Sequence, residues 1–158
     1  MLEKAKQPRI VIVGLGNLLL QDDGAGIHLV RALDKGDLGY SNVEFIDGGT
    51  SSDIVSLVEG ADKLIIIDSV KGGGKPGTIY RFAIDGLGSH SATRLSGHQL
   101  DIVDSLRLLE MLGRGPKSTV IIGIEPETVD LGLELSLEVQ SRMAEMASLV
   151  RKEIEETR

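Results

Sequence analysis

Apolar and polar positions follow two rhythms along this chain. Ile10-Val-Ile-Val13 and Leu64–Ile67 are short unbroken apolar runs, the mark of strands buried on both faces, and Val43–Ile46 reads as a further strand. Between them stand segments of helical period. Gly24–Asp34 places Ile27, Val30, Arg31 and Leu33 on one partly apolar face, and Ser52–Glu59 reads as a short helix with a Ser cap and Gly60 at its end. Thr78–Ile84 is β-prone after the loop Lys71-Gly-Gly-Gly-Lys-Pro-Gly77 and suits an edge strand, parallel or antiparallel. The segment Asp85–Leu95 is polar and irregular.

The spacing then predicts a helix opening at Ser96-Gly-His-Gln99 and running to about Leu112, with the S-x-x-Q spacing of a capping box. Leu100, Val103, Leu106, Leu109 and Met111 or Leu112 are its core candidates. Ser118–Ile124 is a further strand, and Leu137–Glu155 a long amphipathic helix. Val139, Met143, Met146, Val150 and Ile154 form its apolar stripe, which makes both methionines core residues and not metal ligands. There is no repeat and no linker. The expectation is one three-layer α/β domain over residues 1–158: a twisted, mostly parallel five-stranded sheet with helices on both faces.

Composition narrows the chemistry. A length of 158 residues suffices for a sizeable core, and aromatics at 3% leave Ile, Val and Leu to build it. The chain has no Cys, which excludes disulfides, thiolate metal sites and Cys nucleophiles. A net charge of −7 speaks against nucleic acid as the partner. No apolar run approaches the ~20 residues that span a bilayer, and Met1–Pro8 lacks the apolar centre of a signal peptide, so the expected location is the cytoplasm.

The carboxylates supply the sharpest signal. In an α/β sheet the ligand sites gather where parallel strands end. Here the first strand leads into Gly14-Leu-Gly-Asn17-Leu-Leu-Leu-Gln-Asp22-Asp23-Gly24-Ala-Gly26, a Gly-rich turn with two adjacent acids. Phosphate in such a turn wants backbone N–H groups and not negative charge. Asp47 ends the second strand, Asp68 the third, and Glu125-Pro-Glu127 the last parallel one. Any one of these is ordinary turn chemistry, but acids gathered on one edge repel unless compensated, and a cation is the simplest compensation.

His98 adds another donor type. In the first turn of a capped helix the dipole disfavours its protonated form, and a neutral imidazole suits a metal; a solvent-exposed or capping role stays open. One His with two carboxylates can form a three-ligand site with an open position, suited to zinc or another late first-row ion. His28 and His90 carry no such context. Gly14–Leu19 fails the dinucleotide G-x-G-x-x-G pattern, Gly72–Lys75 lacks P-loop spacing, and no G-x-S-x-G elbow occurs. The opening Gly-Leu-Gly-Asn is also similar to that of bacterial peptidyl-tRNA hydrolases. Those need a following His and a basic surface, where this chain has Asp22-Asp23 and an acidic balance.

Taken together, Gly14–Gly26, Asp47-Gly-Gly-Thr50, Ile66-Ile-Asp68, Ser96-Gly-His-Gln-Leu100 and Gly123-Ile-Glu-Pro-Glu127 resemble the signature segments of the nickel–iron hydrogenase maturation endopeptidases, in order and approximate spacing. The resemblance implies an endopeptidase that removes the C-terminal extension of a hydrogenase large-subunit precursor after nickel insertion. It implies metal contacts by Asp23, Asp68 and His98, with Asp at the first position where many members have Glu. It implies a part in recognition or activity for Asp47, and for Glu127 a loop-holding or capping role at least as readily. Nickel would arrive with the precursor, zinc or cadmium would occupy the site in purified protein, and the enzyme would be a monomer without nucleic-acid or membrane partners. The alternatives are a peptidyl-tRNA hydrolase-like or nucleotide-binding protein, and a non-catalytic nickel chaperone or assembly factor. Asp22 is open between a support for Asp23 and a helix cap.

Overall fold

The computed structural model describes residues 5–50, 54–84 and 97–157; the side chains of residues 97–101 lie outside that set. Strand β1 (Ile10–Leu15) leads through a one-turn 3-10 helix (Gln21–Gly24) into α1 (Ala25–Lys35). Then come β2 (Val43–Gly49), α2 (Val55–Val58), β3 (Lys63–Ser69), β4 (Ile79–Ala83), α3 (Gly97–Met111), β5 (Ser118–Ile124) and α4 (Leu137–Glu156). The strands form one sheet in the order β2-β1-β3-β5-β4. All pairs are parallel except β4 with β5, where Ile79 faces Ile124 and Ala83 faces Val120.

Alternation along each strand sends side chains to opposite faces. Ile10, Ile12, Ile65, Ile67 and Ile122 face α1 and α4, meeting Leu29, Val30, Met146 and Val150. Val11, Val13, Leu64, Ile66 and Ile121 face α2 and α3, meeting Val58, Ile102, Leu106 and Leu109. Helices therefore cover both faces of the sheet. Each fully buried Ile or Leu contributes roughly 1.5–3 kcal/mol, and the two clusters make the central strands dry throughout. Met146 is fully buried and Met143 packs beside it, as the helical spacing required.

Local departures from the sequence reading have simple causes. The helix expected over Ser52–Glu59 is confined to Val55–Val58 with no side-chain cap; Ser52 lies outside the described residues. In α3 the buried stripe is Ile102, Val103, Leu106 and Leu109, while Met111 and Leu112 are 79% and 58% exposed. The next position of that stripe is Gly113, which turns the chain with φ +69°, so Met111 and Leu112 fall off the face. Ser96 and the proposed capping box, Asp85–Leu95 and His90 lie outside the described residues, as does the side chain of Leu100.

The amino end of the sheet is pinned by charge. Lys63 Nζ donates to Glu153 Oε2 at 2.6 Å and Arg81 to Glu153 Oε1, joining β3 and β4 to α4. Burial alone would raise the Glu153 pKa; the hydrogen bonds and charges of Arg81 and Lys63 outweigh it and hold the carboxyl below its ordinary range. Among the described residues no helix is long and apolar enough to cross a membrane.

Candidate functional site

Glycines set the geometry of the carboxyl edge. A Cβ on Gly26 would lie 2.1 Å from the Ile67 carbonyl oxygen, and one on Gly14 would lie 2.3 Å from that of Gly26. The first turn of α1 therefore rests backbone to backbone on β1 and β3. Gly16, at φ +131°, would meet the Asp23 carbonyl oxygen at 1.9 Å, so the turn closes tightly upon itself. Asp23 is placed by this packing over the end of β3.

There Asp23 and Asp68 are joined through Ser69. Asp23 Oδ2 accepts the Asn17 N–H at 2.9 Å, and its Oδ1 accepts the Ser69 hydroxyl at 3.3 Å. The Ser69 N–H donates to Asp68 Oδ1 at 2.7 Å. Asp68 is buried and lies within β3, one residue beyond where the apolar run ends, in register with Gly123 of β5. By alternation it shares the sheet face of Leu64 and Ile66, the face that α3 covers.

Asp22, Glu125 and Asp47, three further acids of this edge, have side-chain partners of their own. Asp22 is fully buried and accepts four hydrogen bonds. Oδ2 takes the Glu127 and Thr128 N–H groups at 2.9 and 3.1 Å and the Ser136 hydroxyl at 2.8 Å, while Oδ1 takes the Ser136 N–H at 2.8 Å. Ser136 is also the N-cap of α4. Asp22 is thus a clamp that ties the Gly-rich turn to the loop before α4. The Glu127 backbone joins that clamp while its side chain stays exposed. Glu125 turns inward to the Gly72 N–H at 2.7 Å and the Tyr80 hydroxyl at 2.9 Å.

Asp47 pairs with Arg31 of α1 at 2.7 Å on the exposed rim. It has the parity of Val43 and Phe45, which pack against the α1 and α4 side. Asp47 and Asp68 therefore occupy opposite faces of the sheet, and the structure does not bring Asp47 to Asp23 and Asp68.

His98 is the second residue of α3, and its side chain lies outside the described residues. The helix around it is placed. Just beyond the C-terminus of α3, the Arg114 carbonyl accepts the Gly60 N–H at 2.9 Å and the Lys117 N–H donates to Ala61 at 3.0 Å, at the amino end of β3. That sets the first turn of α3 at the other end, the carboxyl edge. Among the described residues, which do not include the His98 side chain, no three His or acidic side chains converge as metal ligands.

Residues 27–153 match the hydrogenase maturation protease family. The chain belongs to this family. It is 37% identical over 139 residues to the hydrogenase expression/formation protein HupD of Thiocapsa roseopersicina, covering 86% of this chain and 63% of that protein. To the hydrogenase 2 maturation protease of Escherichia coli it is 31% identical over 135 residues, 84% of this chain and 82% of that one. The solved structure of the hydrogenase maturating endopeptidase HybD from Escherichia coli superposes with a TM-score of 0.83 at 29% identity, covering 94% and 93% of the two chains. The five-stranded α/β sheet with its single antiparallel pair is the maturation-protease fold, and the chain is a member of a peptidase family.

Two site features escaped the sequence reading. Ser69, the residue that joins Asp23 to Asp68, was visible only as the neighbour of an acid. Ser136 had a signal: a serine directly before a helical period is an N-cap.

Proposed function

We propose that this maturation protease removes the C-terminal extension of a nickel-loaded nickel–iron hydrogenase large-subunit precursor, with the nickel as its recognition tag. The observation that supports the reading best is the Asp23–Ser69–Asp68 arrangement at the carboxyl edge, with the first turn of α3 at that same edge. Asp23, Asp68 and His98 would contact the nickel carried by the precursor. Two carboxylates and an imidazole are donors that late first-row divalent ions accept, and zinc or cadmium would take the same place in purified protein. A precursor without nickel offers these three residues nothing to hold.

The hydrolytic step needs an activated water. Asp23 or Asp68 can act as general base on a water held beside the scissile carbonyl; the nickel, when bound, supplies Lewis acidity. Ser69 is a positioning residue here. Its hydroxyl is donated to Asp23 and its N–H to Asp68, which orients both acids. The chain has no Cys to serve as nucleophile in an acyl-enzyme route.

Asp47, on the other sheet face, would act by meeting the precursor at the rim. The test is mass spectrometry of the precursor before and after incubation, with nickel-loaded and nickel-free substrate in parallel. Loss of the extension only from the nickel-loaded form supports the reading. Binding of the precursor without shortening would instead indicate an assembly chaperone.

A further inference from the structure

Eight large hydrophobic side chains are exposed among the described residues, and four of them belong to one strap beside the site. Leu19, Leu131, Leu133 and Leu137 are 57%, 84%, 66% and 87% exposed. Their backbones are interlocked. The Gly132 N–H donates to the Leu19 carbonyl at 2.9 Å, and the Gln21 N–H to that of Gly132 at 3.0 Å. Leu137 follows Ser136, which the Asp22 carboxylate holds. The leucines thus stand on backbone fixed to the turn that carries Asp23, held outward next to the site. A cluster of exposed apolar side chains on an ordered frame marks an interaction surface.

Charge says what kind of partner fits. From residue 118 to 141 the chain carries five acids and no Lys or Arg. Of these, Glu127, Asp130, Glu134 and Glu138 are exposed. Such a surface repels anionic headgroups, and it repels itself. It complements a polypeptide segment that combines apolar side chains with Lys or Arg.

We infer that this strap is the docking surface for a basic, apolar segment of the protein substrate, seated so that the adjoining peptide reaches Asp23 and Asp68. The inference rests on the reading of the substrate as the hydrogenase precursor. It adds a recognition element that does not involve the metal.

The test pairs Leu131→Asp with Leu133→Asp in one full-length variant. Both side chains are mostly in water, so the thermal midpoint should not move. Binding to the nickel-loaded precursor, measured by biolayer interferometry, should weaken at least ~10-fold. KM for shortening should rise by a similar factor, with kcat within about twofold. Glu134→Lys should weaken binding too, and raising salt should weaken the wild type more than this variant. Unchanged affinity in the double variant overturns the inference, whether or not the wild type cleaves. Wild-type binding without cleavage defeats only the peptidase reading. No wild-type binding at all overturns both, and self-association of the wild type that the double variant loses assigns the strap to a second copy and overturns the inference.

Discussion

Replacing Asp22 by asparagine keeps the side chain's shape and exchanges one acceptor oxygen for a donor. The native carboxylate accepts four hydrogen bonds, three of them from backbone N–H groups of Glu127, Thr128 and Ser136. The better amide orientation leaves its oxygen at the Oδ2 position and turns its NH2 group to the Ser136 N–H. One buried N–H then faces a donor. An orphaned buried N–H costs about 1–3 kcal/mol, and the donor conflict adds to it, so Asp22→Asn should lose about 2–3 kcal/mol. At this chain length that is roughly 5–10 °C in Tm. Asp22→Ala strands all three N–H groups and should lose more, about 4 kcal/mol after water fills part of the gap. Urea unfolding followed by far-UV circular dichroism measures both, because the chain has no Trp to report by fluorescence. Processing should fall as well, since the turn bearing Asp23 loses its tie to the loop before α4. Stabilities of both variants within about 0.5 kcal/mol of wild type, the range of an ordinary surface change, would refute the clamp.

Gly26→Ala should destabilise by about 3 kcal/mol or abolish soluble expression, because its Cβ would meet backbone oxygens of Ile67 and Leu15 at 2.1 and 2.7 Å; a thermal melt decides it. Glu153→Gln should cost about 3 kcal/mol at neutral pH by stranding buried Lys63. The folded Glu153 pKa lies below its unfolded value, so the native pair's contribution is complete above the ordinary 4.5 and is lost as pH falls through the lower folded value; stability curves of wild type and variant should therefore converge in acid. Asp47→Asn removes an exposed pair with Arg31 and should change stability by less than about 1 kcal/mol. A loss of processing without a shift in Tm would then place Asp47 in precursor recognition.

The central strands were legible because Ile10–Val13 and Leu64–Ile67 are unbroken apolar runs, and the edge they share followed from where the acids stand. The division of labour among those acids was not. Asp22 and Asp23 are adjacent and chemically identical in the sequence. What separates them is Ser136, 114 positions further on, which claims Asp22 for the fold, while Ser69 joins Asp23 to Asp68. Asp47 and Asp68 each end a strand, yet side-chain alternation and the arrival of Arg31 from α1 send Asp47 to the opposite face. Met111 looked like a core residue by type and spacing, and the chain reversal at Gly113 leaves it in water. Local pattern carries the elements; partners far apart in sequence decide which acid is structural.

The central claim is that Asp23, Asp68 and His98 read the nickel in the precursor and enable its cleavage. The most direct measurement is mass spectrometry of nickel-loaded precursor incubated with wild type, Asp23→Asn, Asp68→Asn and His98→Ala, each first confirmed folded by circular dichroism. The account predicts complete loss of the extension with wild type, none with nickel-free precursor, and none with the three variants. Full shortening by folded His98→Ala, or by wild type acting on nickel-free precursor, would contradict it.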